Sequence, residues 1–244
     1  PAPSSADAPQ PSERAEVVHY LRNQYGFFWR RQVRLLLVMG EPAQVDAIAP
    51  GLSEQTWLHG QDTVLLWGGA APGDGALFAQ WHGVSRWRGL DGVVWALSTP
   101  QSQDATSMSA AVQRLLGLAR DLHWQLPLYL WQVCDSDWPQ PKRVSQAVGC
   151  RLPAHVTLEQ LEQSLGALTS PLRQHGLAQL QEAPTHDFLL RLSRDLEREG
   201  IARWRQVLAP LLGELARGVP LRGVWFSLAQ YPKPSELQHH WRTT

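Results

Sequence analysis

The sequence predicts an α/β fold in three layers: a mostly parallel sheet with helices on both faces. Five short runs, beginning at Val33, Thr63, Gly92, Leu128 and Leu221 and ending at Val38, Trp67, Leu97, Val133 and Ser227, are apolar on both faces. Strands buried in a parallel sheet have that character. Between the third and fourth runs Met108, Val112, Leu115, Leu118 and Leu122 recur at helical spacing, and strands alternating with helices imply parallel pairing through crossover connections. The chain has 244 residues, enough for one large domain or a domain with an insertion.

Taken in order, residues 1–11 hold four prolines among serine, alanine and aspartate, a composition that buries too little surface to fold, so they are expected to form a disordered linker. Ser12 can cap a helix that runs to about Tyr25 and stops at Gly26. The α/β core is expected over residues 12–152 and 219–230. An exception interrupts it, because residues 153–218 read as helix throughout. Thr157 with Gln160 makes a capping box, Leu158, Leu161, Leu165 and Leu168 form a stripe, and two further helices are expected to stop at Gly200 and Gly218. This inserted helical subdomain precedes the last strand, and residues 231–244 form a polar tail.

Composition excludes several classes of function. With 22 basic and 22 acidic side chains, nothing draws the whole chain to nucleic acid or to anionic lipid, and a protein or a neutral surface is the expected partner. Cys134 and Cys150 are the only cysteines, too few for a disulfide framework or a cysteine-based metal site, which fits a reducing compartment. The nine histidines show no ligand spacing, so no metal is expected. No run approaches the roughly 18 apolar residues of a membrane span, and no signal peptide is expected. The chain begins at Pro1 without methionine, as a piece of something longer would.

The residues after the first strand occupy the place of a phosphate-binding loop with its chemistry removed. A working G-x-x-x-x-G-K-[ST] loop brings backbone N–H groups, a lysine and an Mg²⁺-holding hydroxyl to the phosphates. From Gly40 onward the positions of that second glycine, lysine and hydroxyl hold Val45, Asp46 and Ala47. The only lysines are Lys142 and Lys233, and a carboxylate at Asp46 repels phosphate. Arg34, a conceivable substitute cation, lies within the first strand and is expected to frame it. No G-x-S-x-G elbow is present, so serine hydrolase chemistry has no support.

Twelve tryptophans stand out. Trp67, Trp95, Trp131 and Trp225 fall in strands and are expected in the core. Trp57, Trp81, Trp87 and Trp138 fall near strand ends or in loops, where aromatic anchors for a partner are found. Trp81, Trp87, Arg88 and Trp138 are one candidate protein interface. Arg194 and Arg198, within a helical stretch that mixes Arg191, Arg203 and Arg205 with Asp187, Asp195, Glu197 and Glu199, are the other.

This order of elements, and several local strings, resemble the cytoplasmic domain of the IcmF/TssM family, the inner-membrane component of type VI secretion systems. The family's GPPGSGKT-like loop falls on Gly40 to Ala47 with only Gly40 and Pro42 kept. Its apolar strand ending in D-T-A-G falls on Val64 to Ala70, with Trp67 at the acidic position. Its R-P-x-N-G-V-I-V-x-x-S string resembles Arg88 to Ser98, and its base-reading T-K-C-D falls on Gln132 to Asp135. The closing P-x-L-R-G-V-Y-F-T-S-A string is similar to Pro220 to Ala229 and is the most specific match. The departures fall on the nucleotide chemistry while the apolar framework is kept. The resemblance therefore implies a P-loop-NTPase-like, GTPase-like sheet with a degenerate nucleotide site at Gly40, Val45, Asp46, Ala47 and Trp67, a base-reading remnant at Asp135, no catalysis and no cofactor. It also implies a place on the cytoplasmic face of the bacterial inner membrane, tethered by helices outside this chain. There the domain would dock the baseplate subunits TssG, TssK and TssE and the inner-membrane partner TssL. The alternative is a diverged switch that still binds GTP or ATP.

Overall fold

A computed structural model describes residues 13–70, 81, 89–121, 125–135, 147–212 and 218–229. Its sheet is built from β1 (Arg34–Met39), β2 (Trp57–His59), β3 (Thr63–Trp67), β4 (Gly92–Ser98), β5 (Leu128–Cys134), β6 (Val148–Arg151) and β7 (Leu221–Leu228). The strand order is β2-β3-β1-β4-β5-β7-β6. β3, β1, β4, β5 and β7 run parallel, while β2 and β6 pair antiparallel at the two edges. The five parallel strands are the five apolar runs of the sequence, displaced by a residue at most. The edge strands were not foreseen, because three or four residues with partial exposure carry neither alternation nor a continuous apolar run. Short edges suit a sheet's rim, where long unpaired strands invite aggregation.

Helices cover both faces. Val38, Val94 and Ala96 meet Val45, Ala49 and Leu52 in a small cluster formed with α2 (Pro42–Ile48) and α3 (Leu52–Gln55). The other face carries the main core. Leu35, Leu37, Val93, Trp95, Leu130, Val224 and Phe226 join side chains of α1 (Glu13–Tyr25), of α5 (Ala105–Asp121), which follows the short α4 (Thr99–Gln103), and of the helical block. That block consists of α6 (Leu158–Glu182), α7 (Phe188–Asp195) and α8 (Ile201–Leu208). It shares the core of the sheet, for Phe188, Leu192, Trp204 and Val207 belong to that same cluster. Trp204 meets Phe226 edge to face at 6.3 Å.

Two local signals in the helices hold and one is corrected, while the Ser12 cap and the segment leading to Gly218 fall outside the described residues. Gly26 (φ +77°) ends α1, and both halves of the Thr157/Gln160 capping box are formed. Gly200, expected to stop a helix, does not. Five residues in π-helical geometry, Leu196–Gly200, join α7 directly to α8, and Gly200 has helical dihedrals. Apolar Leu196 and Ile201 flank the glycine and keep the stretch docked on the core, so packing overrides the breaker. Residues 1–11 and 231–244, read as linker and tail, lie outside the described residues. Among the described residues no helix is long and apolar enough to cross a membrane.

Candidate functional site

The chain passes from β1 to β3 on one side and then returns to β4 on the other. The strand order therefore reverses between β1 and β4, and in open α/β sheets ligands bind outside the carboxyl ends of strands at such a point. Gly40 stands there. Its φ is +148°, and a Cβ would lie 2.7 Å from the Ala96 carbonyl oxygen, so only glycine fits where β1 and β4 converge. The requirement is close approach of the backbone to its own sheet.

The turn itself is closed. Helix α2 begins at Pro42, two residues after Gly40, and the N–H groups of Gln44 and Val45 both donate to the Glu41 carbonyl at 3.0 Å. Those donors are spent within the helix. Val45 is fully buried and Ala47 nearly so. Asp46 accepts from the Ser53 backbone N–H at 3.0 Å and from its hydroxyl at 2.5 Å, fastening α2 to α3. Beside the turn the Trp67 indole Nε1 reaches toward the Gly40 carbonyl at 3.4 Å. Arg34 begins β1, at the opposite end of the strand from Gly40 and about 20 Å away at 3.3 Å per residue.

Trp81 is corrected as an interface residue. It is 1% exposed and donates its indole N–H to the Trp67 carbonyl at 2.8 Å, because an apolar ring with one satisfied donor gains more from the core than from water. Trp87, Arg88 and Trp138 lie outside the described residues. Among the strand tryptophans Trp95 is buried as expected, but Trp67, Trp131 and Trp225 are half-buried. Their side chains point to the face that carries α2 and α3, away from the helical block. Trp225 lays its ring over Gly149 of β6, where a Cβ would come within 2.9 Å of it.

An opening does exist at the carboxyl edge, two strands over. A cavity of about 520 Å³ lies between the ends of β4, β5 and β7 and the helical block, lined by Thr99, Gln132, Cys134, Asp135, Phe188, Leu192 and Leu228. Arg191, Arg194 and Arg198 line it too, with Asp187, Asp195 and Glu199. The fold thus brings Asp135 together with Arg194 and Arg198, which sequence reasoning had assigned to separate surfaces. Asp195 pairs with Arg203 at 2.9 Å and Asp187 with Arg191 at 3.7 Å. Gln132 is the residue that sequence reasoning passed over. It is 4% exposed, and its Nε2 donates to the Thr99 hydroxyl at 3.3 Å, leaving Oε1 without a hydrogen-bond partner. That oxygen is shut off from solvent as well, and a buried amide oxygen left unpaired costs about 1–3 kcal/mol. A polar residue at the core-facing position of an apolar strand was the available signal. The π-helical stretch forms part of the same wall, and such geometry is frequent at functional sites.

No family model matches the chain, and no curated protein shows significant similarity to it.

Proposed function

We propose that this chain is a structural docking domain of a type VI secretion membrane complex, without catalysis, in which the cavity-lining face of the helical block receives a partner. The observation that carries the proposal is the contrast at the carboxyl edge. The turn that should serve phosphates has its Gln44 and Val45 N–H groups engaged by the Glu41 carbonyl, while the cavity beside Arg194 and Arg198 offers charge and apolar surface, with the unpaired acceptor of Gln132 buried at its wall. Guanidinium groups are common interface anchors. The partners in this proposal are the baseplate subunits TssG, TssK and TssE and the inner-membrane TssL, with the domain on the cytoplasmic face of the inner membrane.

A second reading rests on Asp135 and Gln132 lining one cavity: a nucleotide-binding switch that reads GTP or ATP from that side. Co-purification separates the two. The variant Arg194→Glu with Arg198→Glu is expected to lose a partner while keeping its melting temperature. Retention of every partner by that variant, with loss of function on Asp135→Asn, would replace docking by the switch.

A further inference from the structure

Phe27 and Phe28 are the most exposed large apolar side chains among the described residues, at 79% and 62%. They occupy the two central positions of a tight turn. The Gly26 N–H donates to the Arg22 carbonyl at 2.8 Å, ending α1, and the Trp29 N–H returns to the Gly26 carbonyl at 3.2 Å. Turn centres ordinarily hold glycine, proline or small polar residues, so two phenyl rings there need another reason. Their position is held firmly from below. Trp29 is buried, and the Arg30 guanidinium donates to the Val33 carbonyl at 2.8 Å and to Asp91 Oδ2 at 2.9 Å, and also reaches the Gly89 carbonyl. The rings meet edge to face at 5.4 Å, which leaves both open to solvent.

One cation packs on the tip and two more are exposed within a few residues of it. The Arg31 guanidinium lies 5.3 Å from the Phe28 ring centre, and Arg22 and Arg34 are exposed nearby in sequence. Of the acids, Asp91 is engaged by Arg30 and by the Leu35 N–H, and Asp62 is exposed beside the start of β1. Glu13 and Glu16 lie at the far end of α1, on the order of 15 Å up the helix.

We propose that this tip is an interfacial anchor for an anionic lipid bilayer: Phe27 and Phe28 enter the boundary between headgroups and acyl chains, and Arg22, Arg31 and Arg34 meet lipid phosphates. A convex apolar point needs a shaped pocket to bind a protein, whereas a fluid bilayer needs none, and exposed apolar rings with a guanidinium group packed on one of them match its layered chemistry. The tip lies at the amino ends of β1 and β4, opposite the cavity at the carboxyl ends. A bilayer at the tip therefore leaves the cavity facing away from it. The inference stands independently of the docking proposal.

Sedimentation with vesicles tests it. The chain is expected to pellet with vesicles of phosphatidylcholine containing phosphatidylglycerol, less so as salt rises, and to remain in solution with pure phosphatidylcholine. Replacing Phe27→Ser and Phe28→Ser together is expected to lower partitioning about a hundredfold, roughly tenfold per ring, with unchanged circular dichroism and melting temperature. Arg22→Gln with Arg31→Gln is expected to weaken it several-fold and flatten the salt dependence. The proposal is overturned if the wild-type chain does not pellet, if it binds pure phosphatidylcholine equally, or if the double-serine variant partitions like wild type. A change of oligomeric state in that variant without loss of lipid binding overturns it as well, making the tip a contact between proteins.

Discussion

At one edge of a single sheet, the carboxyl end of β1 is shut and the carboxyl ends of β4, β5 and β7 are open. On the shut side Val45 fills a small apolar cluster, Asp46 ties two helices together and Trp67 reaches over the Gly40 carbonyl. On the open side three arginines and four acids line a cavity of about 520 Å³, with Gln132 in its wall. The sheet is continuous across both, so topology alone does not decide where a ligand site lies. Side-chain volume and the fate of a few backbone N–H groups decide it. Where those groups are used by the fold, the switch point becomes core, and polar chemistry collects where the helical block overhangs the edge.

Removing the plug on the shut side should have the largest effect. Trp81→Ala is expected to cost about 3–5 kcal/mol as a buried aromatic truncation, read by denaturant unfolding. Rebuilding the loop with Val45→Gly, Asp46→Lys and Ala47→Thr is expected to lose roughly 3 kcal/mol, through core volume and helix propensity, and to give no nucleotide turnover. A stable triple variant that hydrolyses nucleotide would break the contrast between the two sides. Trp225→Ala, half-buried on the thinly covered face, should cost about 1–2 kcal/mol, in proportion to the area it hides. On the open side, charge reversal at Arg194 and Arg198 should leave stability within about 0.5 kcal/mol while weakening partner binding by about 2 kcal/mol or more. A drop in melting temperature there would make the arginines structural.

The smallest effect belongs to His59, which hydrogen-bonds the Tyr20 hydroxyl through Nδ1 and the Tyr25 hydroxyl through Nε2, and whose partial burial lowers its pKa from the usual 6.5. The unfolded chain therefore binds the proton more readily than the folded one. Stability is complete above pH 6.5 and falls as pH drops through the folded value. Unfolding midpoints across that range should show a slight loss that His59→Gln removes.

Much of the fold was legible because its signals are local. An apolar run such as Leu128 to Val133 is a buried strand in any plausible packing, and Thr157 with Gln160 sets a helix start without help from distant residues. That Val45, Asp46 and Ala47 do not spell a phosphate loop was legible in the same way, since such a loop needs particular residues at fixed offsets. The cavity was not. Its walls come from β5 and from α7, more than fifty residues apart in sequence, and only tertiary packing sets Asp135 beside Arg194. Trp81 shows the same limit, for its burial depends on the Trp67 carbonyl that receives its N–H. Gly200 failed as a stop because the core holds its neighbours in place.

Titration calorimetry with Mg²⁺-GTP and Mg²⁺-ATP tests most directly whether the switch point is sealed. No binding at micromolar concentrations is the expected result, for wild type and for Asp135→Asn alike. Stoichiometric, Mg²⁺-dependent binding by the wild-type chain would contradict the sealing of the switch point and the docking role built on it.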